Sequence, residues 1–90
     1  MRIEQISYVL NIVKYGSLSS TAEKLYINQP TLSRAIHTLE DELGMPLFER
    51  THQGMIPTSL CKKLTPHFEN ILLETECINN IVEKESEQDI

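Results

Sequence analysis

Four apolar residues, Leu32, Ile36, Leu39 and Leu43, follow one another at spacings of 4, 3 and 4. On a helix this makes one continuous stripe; on a strand the same residues would be split between two faces. The ends of the segment are marked as well. Asn28 is a strong N-cap. Pro30 falls in the first turn, where its N–H would be unpaired anyway, and Gly44 supplies a left-handed stop. A helix over about 29–43 is therefore predicted. Its stripe faces a core, and Thr31, Arg34, His37, Thr38 and Asp41 occupy the opposite side. The remainder of a 90-residue chain has to supply that core, which bounds the architecture to one small domain and an appended helix.

Upstream, Ile3, Ile6, Leu10 and Val13 recur at helical spacing, and Gly16 followed by Ser17 reads as a stop and a new N-cap. This predicts a first helix over about 3–15 and a second over 18–25, with Leu18, Ala22 and Leu25 inward. Ile27 lies in the short turn before Asn28. Downstream, two short extended runs flank the polar turn Thr51-His52-Gln53-Gly54, the pattern of a hairpin whose Pro57 suits an edge or an end. From Thr58, a further N-cap, Cys61, Leu64, Phe68, Ile71, Thr75, Ile78 and Val82 alternate at spacings of 3 and 4 to about residue 84. That is a coiled-coil seam of about three heptads. Pro66 falls inside it and should kink or break the helix, or restart it with Thr65 as the cap. The expected fold is mainly α: a winged helix-turn-helix of three helices and a two-stranded wing over 1–58, then a dimerisation helix over 59–84. Residues 85–90 read as a polar tail.

The net charge of −5 argues against a polyanionic partner until it is divided along the chain. Residues 1–57 hold five cations and six acids; residues 58–90 hold three cations and seven acids. The acidity is thus concentrated in the last segment, and the placement of a few cations decides the matter in the first. No stretch approaches the roughly 20 apolar residues of a membrane span, and the N-terminus lacks the order of a signal peptide. Cys61 and Cys77, sixteen residues apart on one predicted helix, would stand roughly 24 Å from each other and cannot bridge within the chain. A reduced, cytoplasmic protein is expected. His37, His52 and His67 are scattered over three elements, and there is no phosphate loop and no metal-ligand spacing. Neither an enzyme nor a metal or cofactor is expected.

Two helices joined by a short turn dock on DNA when the second offers a polar face, its tip entering the major groove. Arg34 can donate a fork to guanine or clamp a phosphate, and Gln29 can both donate to and accept from an adenine edge. Pro30 and the Thr31 methyl group can meet a thymine methyl. Ser33 and Thr38, with Ser19 and Ser20 at the start of the second helix, suit phosphate oxygens. Arg50 can reach phosphate from the wing or pair with Glu40 or Glu49. Glu40, Asp41 and Glu42 read as solvated acids, Glu40 with the option of holding an arginine. His52 and Gln53 at the wing tip are either groove contacts or ordinary loop residues. The competing reading is a protein-interaction or antagonist module that dimerises through its last helix without binding DNA.

Three runs carry a family resemblance: Gly16-Ser17-Leu18-Ser19-Ser20-Thr21-Ala22-Glu23-Lys24-Leu25, Asn28-Gln29-Pro30-Thr31-Leu32-Ser33-Arg34-Ala35-Ile36, and Leu39-Glu40-Asp41-Glu42-Leu43-Gly44-Met45-Pro46-Leu47-Phe48-Glu49-Arg50. In this order the chain resembles LysR-type transcriptional regulators over about residues 3–75. The resemblance implies a sequence-specific regulator that binds interrupted palindromes of double-stranded DNA as a dimer or tetramer. It places DNA contacts on Gln29, Pro30, Thr31, Ser33 and Arg34, with wing residues reaching the minor groove. It also implies a homodimer through the last helix, with Leu64, Phe68, Ile71, Thr75, Ile78 and Val82 at the seam. The chain departs from the family pattern at Thr21, where a second alanine is usual, and at Pro57-Thr58-Ser59-Leu60-Cys61, where a glycine is usual. Its wing tip lacks the arginine often found there. The small-molecule effector domain that follows in the family is absent from these 90 residues, so an effector is a partner only of a longer chain.

Overall fold

The structure, a computed structural model, describes residues 1–88. Its elements are α1 (Ile3–Tyr15), α2 (Leu18–Leu25), α3 (Gln29–Leu43), β1 (Phe48–Thr51), β2 (Gly54–Pro57) and α4 (Ser59–Gln88). Most helix ends lie where capping chemistry places them. Ser17 Oγ accepts from the Ser20 N–H at 3.1 Å, and Asn28 Oδ1 accepts from the Thr31 N–H at 2.8 Å. Gly16 (φ 83°) and Gly44 (φ 76°) end α1 and α3 in the left-handed region. The strands pair antiparallel, with Phe48 opposite Pro57 and Arg50 opposite Met55.

The core gathers one face from each helix and the inner side of the wing. Val9, Ile12, Leu32, Leu39, Leu47 and Cys61 are fully enclosed. The α3 stripe lies as its spacing dictates, with Leu43 half-buried at its end. On α1 the buried face is Ile6, Val9 and Ile12, while Ile3 and Val13 are exposed. The expected stripe is therefore rotated on the helix. Ile3 and Val13 share its spacing but are exposed, while Leu10, of the same expected stripe, packs half-buried against the core. Gln5 takes a buried position instead: its side chain accepts from the Arg2 N–H at 2.7 Å and donates to the Ala35 carbonyl at 3.4 Å, tying α1 to α3.

Two expectations for the last helix are corrected. Pro66 neither breaks nor restarts it: α4 runs unbroken from Ser59 to Gln88 with Pro66 inside. Pro66 and Lys62, whose carbonyl loses its partner, are both exposed, so water can satisfy the stranded oxygen. The polar tail is correspondingly helical through Gln88; Asp89 and Ile90 lie outside the described residues. The seam is also divided. Cys61 and Phe68 are buried in the chain's own core, with Leu64 and Ile71 packed half-buried against it. Phe68 is thus withdrawn from any partner, because α4 folds back along α1 over its first four turns. Beyond that point no other described element covers the helix, and Ile78 and Val82 are exposed, as are Leu73 and Ile81.

Candidate nucleic-acid interface

Asn28 and Pro30 start α3 at a fixed place, and the buried leucines hold its axis, so the opposite face is determined by default. Gln29, Pro30, Thr31, Arg34 and Thr38 are all exposed on that face or at its leading tip. At 100° per residue, Arg34 lies near the middle of the outward side, and Ser33 and Ala35 lie on its two flanks. His37 and Asp41 form an exposed pair one turn apart on the same face, Nε2 to Oδ2 at 3.6 Å.

The wing occupies the Ser33 flank. Arg50 Nη2 donates to Ser33 Oγ at 2.8 Å, so Arg50 leans on α3 and pairs with neither Glu40 nor Glu49. Glu40 has a different task from either one expected of it. Its Oε2 accepts from the Leu47 N–H at 2.6 Å and the Phe48 N–H at 3.3 Å. After the Gly44 turn the chain passes back over the end of α3, and the carboxylate meets the two amides that begin the wing. Bonds of this charge-assisted kind are among the stronger ones available. Ser33, half-buried, serves first as the acceptor that positions Arg50.

A second strap fixes the wing against the helix-turn-helix. The Met55 N–H donates to the Gly16 carbonyl at 2.9 Å. A β-carbon on Gly54 would lie 2.3 Å from that same oxygen, and Gly54 has φ +116°. Only glycine fits there. The strap brings Ser19, Gln29, Arg50 and Thr51 around one shallow cleft. Ser20 is exposed beside it at the start of α2. His52 and Gln53 are exposed at the wing tip, where Thr51 Oγ1 accepts from the Gln53 N–H and donates to the Gly54 carbonyl, both at 3.1 Å.

The predicted contact residues therefore form one surface running from the α2 start, across the α3 tip, to the wing. Thr38 stands apart, on the other flank of α3, where Arg34, Ala35 and Arg2 line a different cleft. Arg2 was not among the expected site residues. It precedes the first helical stripe, and only the folded position of α1 brings it beside α3.

The family model of bacterial regulatory helix-turn-helix proteins of the lysR family matches residues 3–62. The nitrogen assimilation regulatory protein nac of Klebsiella aerogenes is 39% identical over 85 residues, covering 90% of this chain and 28% of nac. The protein of the same name from Escherichia coli (strain K12) is 42% identical over 76 residues, covering 84% of this chain and 25% of that protein. The chain thus spans about a quarter of the length of these curated relatives. Among solved structures, the crystal structure of the BenM_DBD/catB site 1 DNA complex superposes with a TM-score of 0.90 at 27% identity. That match covers 100% of this chain and 97% of the other.

Proposed function

Because the chain belongs to the lysR family of bacterial regulatory helix-turn-helix proteins, we propose that it binds double-stranded DNA as a transcription regulator, α3 entering the major groove. The observation that carries this is the exposure of Gln29 at the leading tip and of Arg34 on the free side of a helix whose other side is locked in the core. Arg34 supplies a fork for guanine and Gln29 a donor–acceptor pair for adenine, each worth about 1–3 kcal/mol of discrimination. Pro30 and Thr31 offer apolar contact to a thymine methyl. Ser19, Ser20 and Thr38 hold phosphate oxygens and set register. Arg50 uses one of its five donors on Ser33 and has the others for the backbone, with His52 and Gln53 beyond it at the minor groove.

The reading further takes the protein as a homodimer on an interrupted palindrome. The support is the distal half of α4, where Ile78, Ile81 and Val82 are exposed on a stretch that no other described element covers. A second copy would cover them, and two-fold pairing would present two α3 tips to successive half-sites. The described helices include none long and apolar enough to cross a membrane, and the reading places the protein with its DNA in the cytoplasm.

Selection of bound sequences from random duplex DNA, at one fixed salt concentration, tests this directly. The expected outcome is an enriched pair of inverted half-sites at constant spacing. Arg34→Ala or Gln29→Ala should then weaken the selected site by about 1–3 kcal/mol each. No enrichment, or enrichment unaffected by both substitutions, rejects the docking.

A further inference from the structure

We propose that Arg2, with the Thr38 hydroxyl lining the same cleft, seats a DNA backbone phosphate on the flank of α3 opposite the wing, while Arg34 keeps its fork for a base. The inference rests on the docking of α3 described above and assigns it a second anchoring side. Arg2, Glu4, Gln5, Arg34, Ala35 and Thr38 line an open cleft of about 430 Å³ between the start of α1 and the outer flank of α3. Both arginines are exposed. Glu4 lines the same cleft, yet among the described residues neither guanidinium is held in an ion pair. The positive charge of both arginines draws an anion toward the concavity, and Arg2 meets it with its fork of donors.

The position of the cleft selects the anion. Arg50 stands on the Ser33 flank, Arg34 near the middle of the face, and Arg2 on the Ala35 flank. A major groove that receives α3 has a phosphate backbone on each side. The wing side already offers Arg50 to one of them, and Arg2 is the cation that faces the other. The site is built. Gln5 bonds the Ala35 carbonyl and the Arg2 N–H, and the Met1 amino group lies 2.6 Å from Glu42 Oε1. The start of α1 is therefore fixed to α3 at both sides of the Arg2 backbone. Thr38 adds a hydroxyl donor at the rim of the cleft.

Titrations of the full chain against its selected duplex and against an unrelated duplex of equal length, over about 50–200 mM salt, test the seat through the slope of log K against log salt. Arg2→Gln should flatten that slope by about 0.9 on both duplexes, the value for one phosphate contact, and leave the ratio between them unchanged. Arg2→Lys should retain the slope. Lys84→Gln, an equal change of net charge on the distal α4, should leave it alone. Glu4→Gln should tighten both complexes. An unchanged slope for Arg2→Gln, in protein that still binds, overturns the seat and leaves the α3 docking standing. Loss confined to the selected duplex also overturns it, because Arg2 would then be reading a base. Failure of the unaltered chain to bind either duplex at low salt overturns the docking and the seat together. Arg2→Ala, with a melting curve matched to the parent, guards against a folding artefact.

Discussion

Tyr26 closes α2 in the left-handed conformation, with φ 57° and ψ 39°, and the residue is 95% exposed. It gains little by burial, and its β-carbon opposes a backbone geometry that glycine or asparagine adopts readily. Tyr26→Gly should therefore raise the denaturant midpoint, by about 0.5–1 kcal/mol of stability, without moving the core. The two cysteines are opposites. Cys61 is enclosed in the core, and Cys77 is exposed on α4. Burial pushes the Cys61 thiol up; the hydroxyl of Thr65 partly offsets this, and the charge of Glu40 adds to it. A thiol reagent should modify Cys77 promptly in the native protein and Cys61 only on unfolding. The sign of the accompanying pH effect follows from linkage. Below the unfolded thiol's titration both states keep the proton and stability is unaffected. As pH rises beyond about 8.5 the unfolded chain releases its proton first, so stability falls until the folded thiol titrates too. A urea titration series from pH 7 to 10 should show that decline, and a Cys61→Val protein should lack this part of it.

The elements differ in how much of them was legible. The α3 helix was readable because its stripe, cap and stop agree, and agreement across signals is what makes a sequence specify a structure. The stripe of α1 was misplaced because spacing reports periodicity alone. Ile3, Ile6, Leu10 and Val13 fit a helix as well as Ile6, Val9 and Ile12 do, and only the packing of the neighbouring elements decides between them. The division of α4 was hidden for a related reason. Its apolar residues form one alternating series in the chain, but Phe68 finds a core beneath it and Ile78 does not. Glu40 was invisible as a wing anchor, since the amides it accepts from belong to residues seven and eight positions later, beyond a turn. Most contact candidates came from residue chemistry on a correctly placed helix. Arg2 did not, because its role depends on tertiary proximity. The wing strap offers the sharpest test at this scale. Gly54→Ala sets a β-carbon against the Gly16 carbonyl and should destabilise the fold by more than 1 kcal/mol. It should also lower DNA affinity by displacing Arg50. Melting curves and a binding titration read the two effects separately.

As a whole the molecule is long for its size, 55 × 26 × 20 Å, with a globular head and a projecting helix. The head contains the proposed contact surface; the projection carries the exposed Ile78, Ile81 and Val82. Replacing Ile78 and Ile81 together by glutamate should leave the head folded and shift sedimentation from dimer to monomer. DNA affinity should fall by about 10²-fold or more as the gain from linked half-sites is lost. The continuity of α4 has one more consequence. Its near half is fused into the head, so the head has no swivel with which to absorb movement of the far half. At about 1.5 Å per residue its 30 residues make a lever of roughly 45 Å. A tilt of only about 5° at the far end would swing the reading tip by some 4 Å, more than the roughly 3.4 Å rise of a base pair. In a pair of such levers, a small adjustment where the rods cross would retune the half-site spacing that the two tips can span.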